Sequence, residues 1–309
     1  MVVFLNPKAG AGSALRKWEL VAPSLPSSPS PLRVFILNGQ SSLSEGVIQF
    51  LQMGETDFVA AGGDGTINTL LNSLLSSATS SQVQSCRLGA IGLGSSNDFH
   101  KPFIPEQFID TVSCKIDFEH ARPRDVGCVS IEENGTTVKK YFLINASVGI
   151  TAEANRFFNN PDRILAYLKR VHTSSAILYA AFSTIFSFKN IQTRLDCGST
   201  GEFTTNLTNL GIVKNSHFSG NLSYDSPISY DDGNFQIHLC HDMKRWDVVC
   251  LFNALSHGKF RTIRNTRSWS SPSLTVSADH PFAVEFDGEI VVTKTATFSV
   301  LQKFLKVCP

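Results

Sequence analysis

The stretch VAAGGDGTIN, residues 59–68, ends an apolar run with two glycines, an aspartate and a third glycine, and then passes into a helical pattern. Glycine removes the Cβ that keeps a ligand off the main chain, and a helix N-terminus offers unpaired N–H groups that favour phosphate. Three chemistries suit such a loop: a tight turn with an aspartate cap, a metal loop, or a phosphate cradle in which Asp64 organises Mg²⁺ through water. The choice among them depends on what surrounds the loop.

The run DFVAA (57–61) that enters it is one of four. VVFLN (2–6), RVFIL (33–37) and RLGAIGL (87–93) are the others, separated by helical patterns over 11–22, 43–52 and 66–76. This βαβαβαβ order predicts an α/β domain with a mainly parallel sheet and helices on both faces. Ligands bind such sheets at the carboxyl ends of the strands. A Pro/Ser-rich segment, PSLPSSPSP (23–31), punctuates the passage from the first helix to the second strand. Near Val112 the texture changes to successive short strands, among them DVGCVSI, GNFQIHLC, FAVEFDGE and TATFSVL, with only 153–189 and 243–258 reading as helical. A β-rich second domain, sandwich or open barrel, is expected there. The expected division is 1–112 for the α/β domain and 113–297 for the β-rich domain, with the C-terminal residues 298–309 packing back on the first.

Of the 309 residues, 42% are apolar and 17% charged, and the formal net charge is +1. That balance describes a globular chain with no general pull toward nucleic acid. The seven cysteines lie far apart with no CxxC pair, which fits a reduced, cytoplasmic setting better than a zinc site or a disulfide framework. The eight histidines show no HExxH spacing. The longest apolar stretch, Ala176 to Phe188, is 13 residues, short of the roughly 20 that span a bilayer.

In this setting GGDGT follows the third strand and opens a helix. NPKAG (6–10) follows the first strand and GLGSSNDF (92–99) the fourth, so three glycine loops gather at one sheet edge. Separate turns do not explain that convergence. GLGSSN is not a Rossmann fingerprint, because the final glycine and the acidic residue about 20 positions on are missing, and no Walker A loop is present.

The ordered set NPxxG, GGDGT-I-N, GSSNDF, a late DDG and a near-terminal DGE resembles the diacylglycerol kinase catalytic family over nearly the whole chain. The likeness is closest to the soluble bacterial lipid kinases and extends to the sphingosine kinases. It implies a nucleotide domain related to phosphofructokinase and NAD kinase, a β-rich partner domain, and ATP in the cleft between them. By position, Gly62, Gly63, Asp64, Gly65, Thr66, Ile67 and Asn68 would surround the ATP phosphates, with Asn6 and Gly10 along the same cleft. Ser95 stands where the family has a threonine touching the nucleotide, Asn97 and Asp98 complete that loop, and Asn38 would lie on the adenosine side.

FDGE (286–289) resembles the family's catalytic loop. Transfer of a γ-phosphoryl group to an alcohol needs a base for the hydroxyl proton and magnesium to neutralise phosphate charge. Asp287 or Glu289 would be the base; a plain hairpin turn between FAVEF and IVVTK is geometrically compatible with the same letters, and the resemblance favours catalysis. SYDDGNFQIHL (229–239) resembles a second family feature, a metal held outside the ATP site; Asp232 would give the carboxylate and Ser229 and Asn234 the carbonyls of a Mg²⁺ site, unless the segment is only a turn. Departures from the family pattern are Ala9 for a small hydroxyl residue, the glycine-serine pair after Leu93 for proline and threonine, and FSGN (218–221) for a more glycine-rich turn.

The resemblance thus implies an ATP- and Mg²⁺-dependent kinase acting on the hydroxyl of a lipid alcohol, cytoplasmic and in transient contact with a membrane surface. The basic, aromatic segments KRWDVV and GKFRTIRNTR would suit that contact. The alternatives are an NAD kinase-like enzyme and a non-catalytic nucleotide- or lipid-binding protein of the same fold.

Overall fold

The structure is a computed structural model that describes every residue except 26–31, 134, 172, 199 and 200; most of the Pro/Ser segment 23–31 lies outside the described residues. Strands β1 (Val2–Leu5), β2 (Arg33–Ile36), β3 (Asp57–Gly62) and β4 (Arg87–Gly92) run parallel in the order β2-β1-β3-β4. Helices α1 (Ala14–Val21), α2 (Gln40–Gln52), α3 (Asp64–Ser77) and the short α4 (Ser80–Ser85) connect them. Side chains alternate across the sheet. Val3, Leu5, Val59, Ala61 and Ile91 pack with Ala14 and Val21 of α1, and Phe4, Phe58, Ala60 and Leu88 pack with Leu43, Val47, Ile67 and Leu70 of α2 and α3. The chain leaves β1 toward β2 on one side while β3 adds on the other, so the switch point of the sheet lies between β1 and β3.

After a two-residue β5 (Phe108–Ile109), β6 (Val112–Lys115) turns back antiparallel along β4, pairing Ala90 with Lys115 and Ile91 with Cys114. The first sheet therefore reaches past residue 112, because the chain retraces β4 before it crosses over. The crossing leads to a hairpin of β7 (Arg122–Glu133) and β8 (Thr136–Phe142), then β9 (Asn145–Gly149) and helices α5 (Ile150–Asn159), α6 (Arg163–Val171) and α7 (Thr173–Ser187). The helical pattern over 153–189 is thus several helices, and Pro161 accounts for the first break since its ring and missing N–H do not continue a helix. Next come β10 (Ile191–Asp196), β11 (Glu202–Val213), the small pair β12 (His217–Phe218) and β13 (Leu222–Ser223), β14 (Phe235–His241), α8 (Arg245–Ser256), β15 (Thr266–Ser271), β16 (Ser273–Phe286) and β17 (Glu289–Val307).

Strands β9 and β10 both lie between β11 and β16, β9 along one end and β10 along the other. The sheet curls far enough that Phe142 of β8 and Phe235 of β14, which are not neighbours in it, stack at 5.6 Å over a common core with Leu210, Val284 and Phe298. Strand β17 joins the two halves. It pairs with β16 and β7, and its last residues Lys306 and Val307 add in parallel to Arg87 and Leu88 of β4. Among the described residues no helix is long and apolar enough to cross a membrane.

Candidate active site

The loops after β1, β3 and β4 interlock through their main chains. Asn6 donates its backbone N–H to Ala61 O at 2.9 Å and its side-chain amide to Thr66 Oγ1 at 3.0 Å. Gly10 sits at φ 58°, where a Cβ would meet Leu93 O at 2.5 Å, and a Cβ on Gly94 would lie 2.5 Å from Gly63 Cα. Only glycine permits both the left-handed backbone and these approaches. Asp64, the first residue of α3, locks the β3 loop to the β4 loop: Oδ2 accepts the Asp98 amide and Oδ1 the Phe99 amide, each at 3.0 Å. Asp98 is buried, accepting Lys101 Nζ at 2.8 Å on Oδ1 and the Gly220 amide at 3.0 Å on Oδ2. Burial, and then the neighbouring Asp98 charge, hold the Asp64 carboxyl above the usual carboxylate range.

Two cavities meet on this scaffold. A cleft of about 430 Å³ runs over the glycine loops, past Asn6, Lys8, Gly10 and Thr66. A second cavity of about 350 Å³ opens on the side of the β-rich half, with Asp64, Asp98, Asn145, Glu285 and Asp287 in its wall. Gly63, Gly65, Ser95 and Glu289 belong to both.

The turn between β16 and β17 carries the acidic group. Asp287 and Gly288 have φ of 45° and 91°, the left-handed pair that a two-residue hairpin needs, and Phe286 pairs with Glu289 across it. The hairpin and the site are the same object. The Asp287 carboxylate, only 6% exposed, accepts the backbone amides of Leu143 (2.8 Å), Ile144 (3.0 Å) and Asn145 (3.0 Å), with the Asn68 amide at 3.4 Å as the weakest of four. Those donors favour the ionised form, yet burial outweighs them and lifts the pKa to about 6. Glu285, buried two residues earlier, accepts the Gly288 amide at 2.7 Å and the Ser147 hydroxyl at 2.8 Å, and burial raises it to about 7. Glu289 is exposed at the mouth where the cavities join.

Not every residue chosen from the sequence reaches the cleft. Gly63, Asp64, Gly65, Thr66, Asn6, Gly10, Ser95, Asp98, Asp287 and Glu289 line one cavity or the other. Asn38 is exposed outside both; its neighbours Leu37 and Gly39 form that wall instead. Gly62 ends β3 with the Thr66 side chain filling the space beside it, and Ile67 is a core residue of α3, because the helix turns it toward the sheet. Asn97 uses its side chain to brace its own loop, accepting Gly94 N–H at 3.0 Å and donating to Gly92 O at 3.1 Å. Asn68 points across to the second half, donating to Tyr141 O at 2.9 Å and reaching Asp287, so it couples GGDGT to the acidic turn rather than to the cleft over the glycine loops.

The expected second metal site is also corrected. Ser229 O, Asp232 Oδ1 and Asn234 O do converge, but on Lys214 Nζ, at 2.8, 3.3 and 2.9 Å. An ammonium occupies the centre of the ligand set, so the residues present do not fit a metal. Sequence reading missed Lys214, and it missed Glu285, whose signal was a lone acidic residue inside the apolar run FAVEF.

Comparison with known proteins agrees with this geometry. Residues 1–129 match the diacylglycerol kinase catalytic domain, and 145–309 match the YegS C-terminal NAD kinase beta sandwich-like domain. A diacylglycerol kinase of Staphylococcus haemolyticus is 23% identical over 254 residues, spanning 81% of this chain and 70% of that one. The solved structure of a candidate diacylglycerol kinase from Bacillus anthracis superposes with a TM-score of 0.73 at 19% identity, covering 99% of this chain and 94% of that one. Yeast NADH kinase, solved with NADH, shares the fold more distantly, with a TM-score of 0.50 at 10% identity over 99% of this chain and 81% of its own. The order of the motifs, the two-part fold and the two domain matches agree, and the chain belongs to the diacylglycerol kinase catalytic-domain family of kinases.

Proposed function

We propose that the protein transfers the γ-phosphoryl group of ATP to the hydroxyl of a lipid alcohol. The observation that carries this reading is the junction of the two cavities at Gly63, Gly65, Ser95 and Glu289, with buried carboxylates on the second-half side only. The glycine loops and Lys8 suit the triphosphate, since main-chain N–H groups and a lysine hold phosphate oxygens without a bulky side chain between. The acceptor hydroxyl then enters from the second cavity and meets Asp287. A carboxylate with a pKa of about 6 is ionised at neutral pH and more basic than an ordinary aspartate, which suits a general base. The acceptor hydroxyl takes over the 3.4 Å position that Asn68 holds, while the three backbone amides keep the carboxylate aimed.

Mg²⁺ suits the same place. Each Asp64 oxygen keeps a lone pair after accepting one amide, and the crowding of Asp64 by Asp98 is relieved by a cation there. Such an ion needs only one or two carboxylates besides phosphate, and it would neutralise charge on the transferring group.

A lipid acceptor agrees with the outer face of the second half. Tyr167, Leu178, Phe182, Phe186 and Trp246 on α6, α7 and α8 are all at least half exposed, and Arg245, also exposed, donates to Phe186 O at 3.0 Å beside them. Exposed apolar residues next to basic ones suit the surface of an anionic membrane.

The test is transfer of labelled phosphate from ATP to diacylglycerol, monoacylglycerol, a sphingoid base, phosphatidylglycerol and NAD, with the lipids in anionic vesicles. One labelled lipid is expected. Label on NAD alone, or on nothing, sinks the reading.

A further inference from the structure

Lys214 follows the last residue of β11, and its side chain is 1% exposed. Its ammonium meets four oxygens: Asp125 Oδ2 at 2.8 Å, Ser229 O at 2.8 Å, Asn234 O at 2.9 Å and Asp232 Oδ1 at 3.3 Å. Two carboxylates and two carbonyls are the ligand chemistry of a hard divalent cation, but the spacing is that of N–H···O bonds, longer than the roughly 2.0–2.6 Å of Mg–O or Ca–O contacts. An ammonium has three donors for these four acceptors, and the longest contact, to Asp232, is the one shared.

Asp125 is fully buried and tied in on every side. Its other oxygen accepts the Lys303 amide at 2.9 Å, Oδ2 also accepts the Gly233 amide at 2.8 Å, and its own N–H goes to Tyr230 O at 2.7 Å. The loop 229–234 is therefore wrapped around one charge. The main chain at Lys214 is tied to the acidic turn, because the backbone amides of Lys214 and Asn215 both donate to Ile144 O, and Ile144 donates to Asp287.

We propose that the Lys214 ammonium is a tethered structural cation, which orders the 229–234 loop through Asp125, Ser229, Asp232 and Asn234 and leaves that loop with no requirement for a divalent metal. This goes beyond the kinase reading and does not depend on it.

Thermal unfolding of the full chain without nucleotide tests it, in EDTA and in millimolar MgCl₂ or CaCl₂. Any shift of the unaltered protein between EDTA and divalent ion, as from an ion at Asp64, is expected to be matched by Asp232→Asn, because the 229–234 loop takes up none. Lys214→Ala, which vacates the cage, is expected to melt roughly 10 °C lower in EDTA, the scale for an orphaned buried charge, and to recover part of the loss in CaCl₂. Lys214→Met, which fills the space without charge, is expected to melt lower and not to recover. A melting point of the unaltered protein that rises with divalent ion, with the rise absent in Asp232→Asn, overturns the proposal, as does a Lys214→Met variant as stable as the parent. If the lysine variants do not fold, calorimetric titration with CaCl₂ decides: equal traces for the unaltered protein and Asp232→Asn support the tethered cation, and uptake of one ion by the unaltered protein alone overturns it.

Discussion

Two groups of carboxylates, one around the cavities and one at the 229–234 loop, are compensated in opposite ways. Around the cavities, Asp64 lies beside Asp98 and Glu285 beside Asp287, all accept backbone amides, and burial raises Asp64, Glu285 and Asp287 above the usual carboxylate range. At the 229–234 loop, the buried Asp125 of β7 and the exposed Asp232 face the ammonium of Lys214. A buried charge without a counter-charge is costly, and it persists where the deficit does work on a ligand. The second cluster is closed by an ammonium at hydrogen-bond distance; in the first, Glu285 and Asp287 are held by amides and a hydroxyl, with no ammonium in contact among the described residues.

The strongest way to break this contrast is at Asp287. Asp287→Asn is expected to lower kcat by roughly 10²–10⁴-fold, the usual worth of a general base. In the unaltered enzyme kcat/KM should rise with pH through about 6, where the base loses its proton, instead of near 4. A variant that keeps a tenth of the activity would move the base to Glu289.

At the compensated cluster the matching change is Asp125→Ala. It strips the ammonium of its shortest charged contact and is expected to cost about 3–5 kcal/mol of stability in urea unfolding. A cost under about 1 kcal/mol would mean that the carbonyls and Asp232 suffice, against the usual price of an unpaired buried charge.

Glu285→Gln gives the smallest effect and has the opposite sign. Glutamine keeps an oxygen for the Gly288 amide and can donate to Ser147, so no bond need be lost. The folded pKa of Glu285, about 7, lies above its unpaired value of 4.5, so the stability it contributes is fully present below about 4.5 and is lost as pH rises through 7. The variant should therefore melt like the parent at low pH and a few degrees higher at pH 8. A variant that is equally destabilised at both ends of that range would show that Glu285 acts through shape and not charge.

Much of this was legible in the letters. The four apolar runs and their intervening helical patterns give β1 to β4 and α1 to α3 within a few residues, because helix and strand periods of burial are local properties. The convergence of the three glycine loops followed from the parallel order alone. The roles of single residues were less readable. Asn68 and Ile67 are adjacent, yet one meets Asp287 and the other the sheet, since a helix sets neighbours about 100° apart and only packing says which face is which. The metal site failed for a related reason: the oxygens were correctly chosen, but the cation that fills them comes from 15 residues before Ser229, at the end of β11.

The sequence by itself determined the family, the parallel sheet with its glycine loops and the place of the acidic turn, because these rest on short motifs and on periodicity along the chain. Tertiary structure decided which carboxylate is buried among amides, which is exposed and which is neutralised by a lysine. Those outcomes depend on burial and on charges brought together across 89 residues from Asp125 to Lys214 and 219 from Asn68 to Asp287, and no local pattern encodes electrostatics at that range.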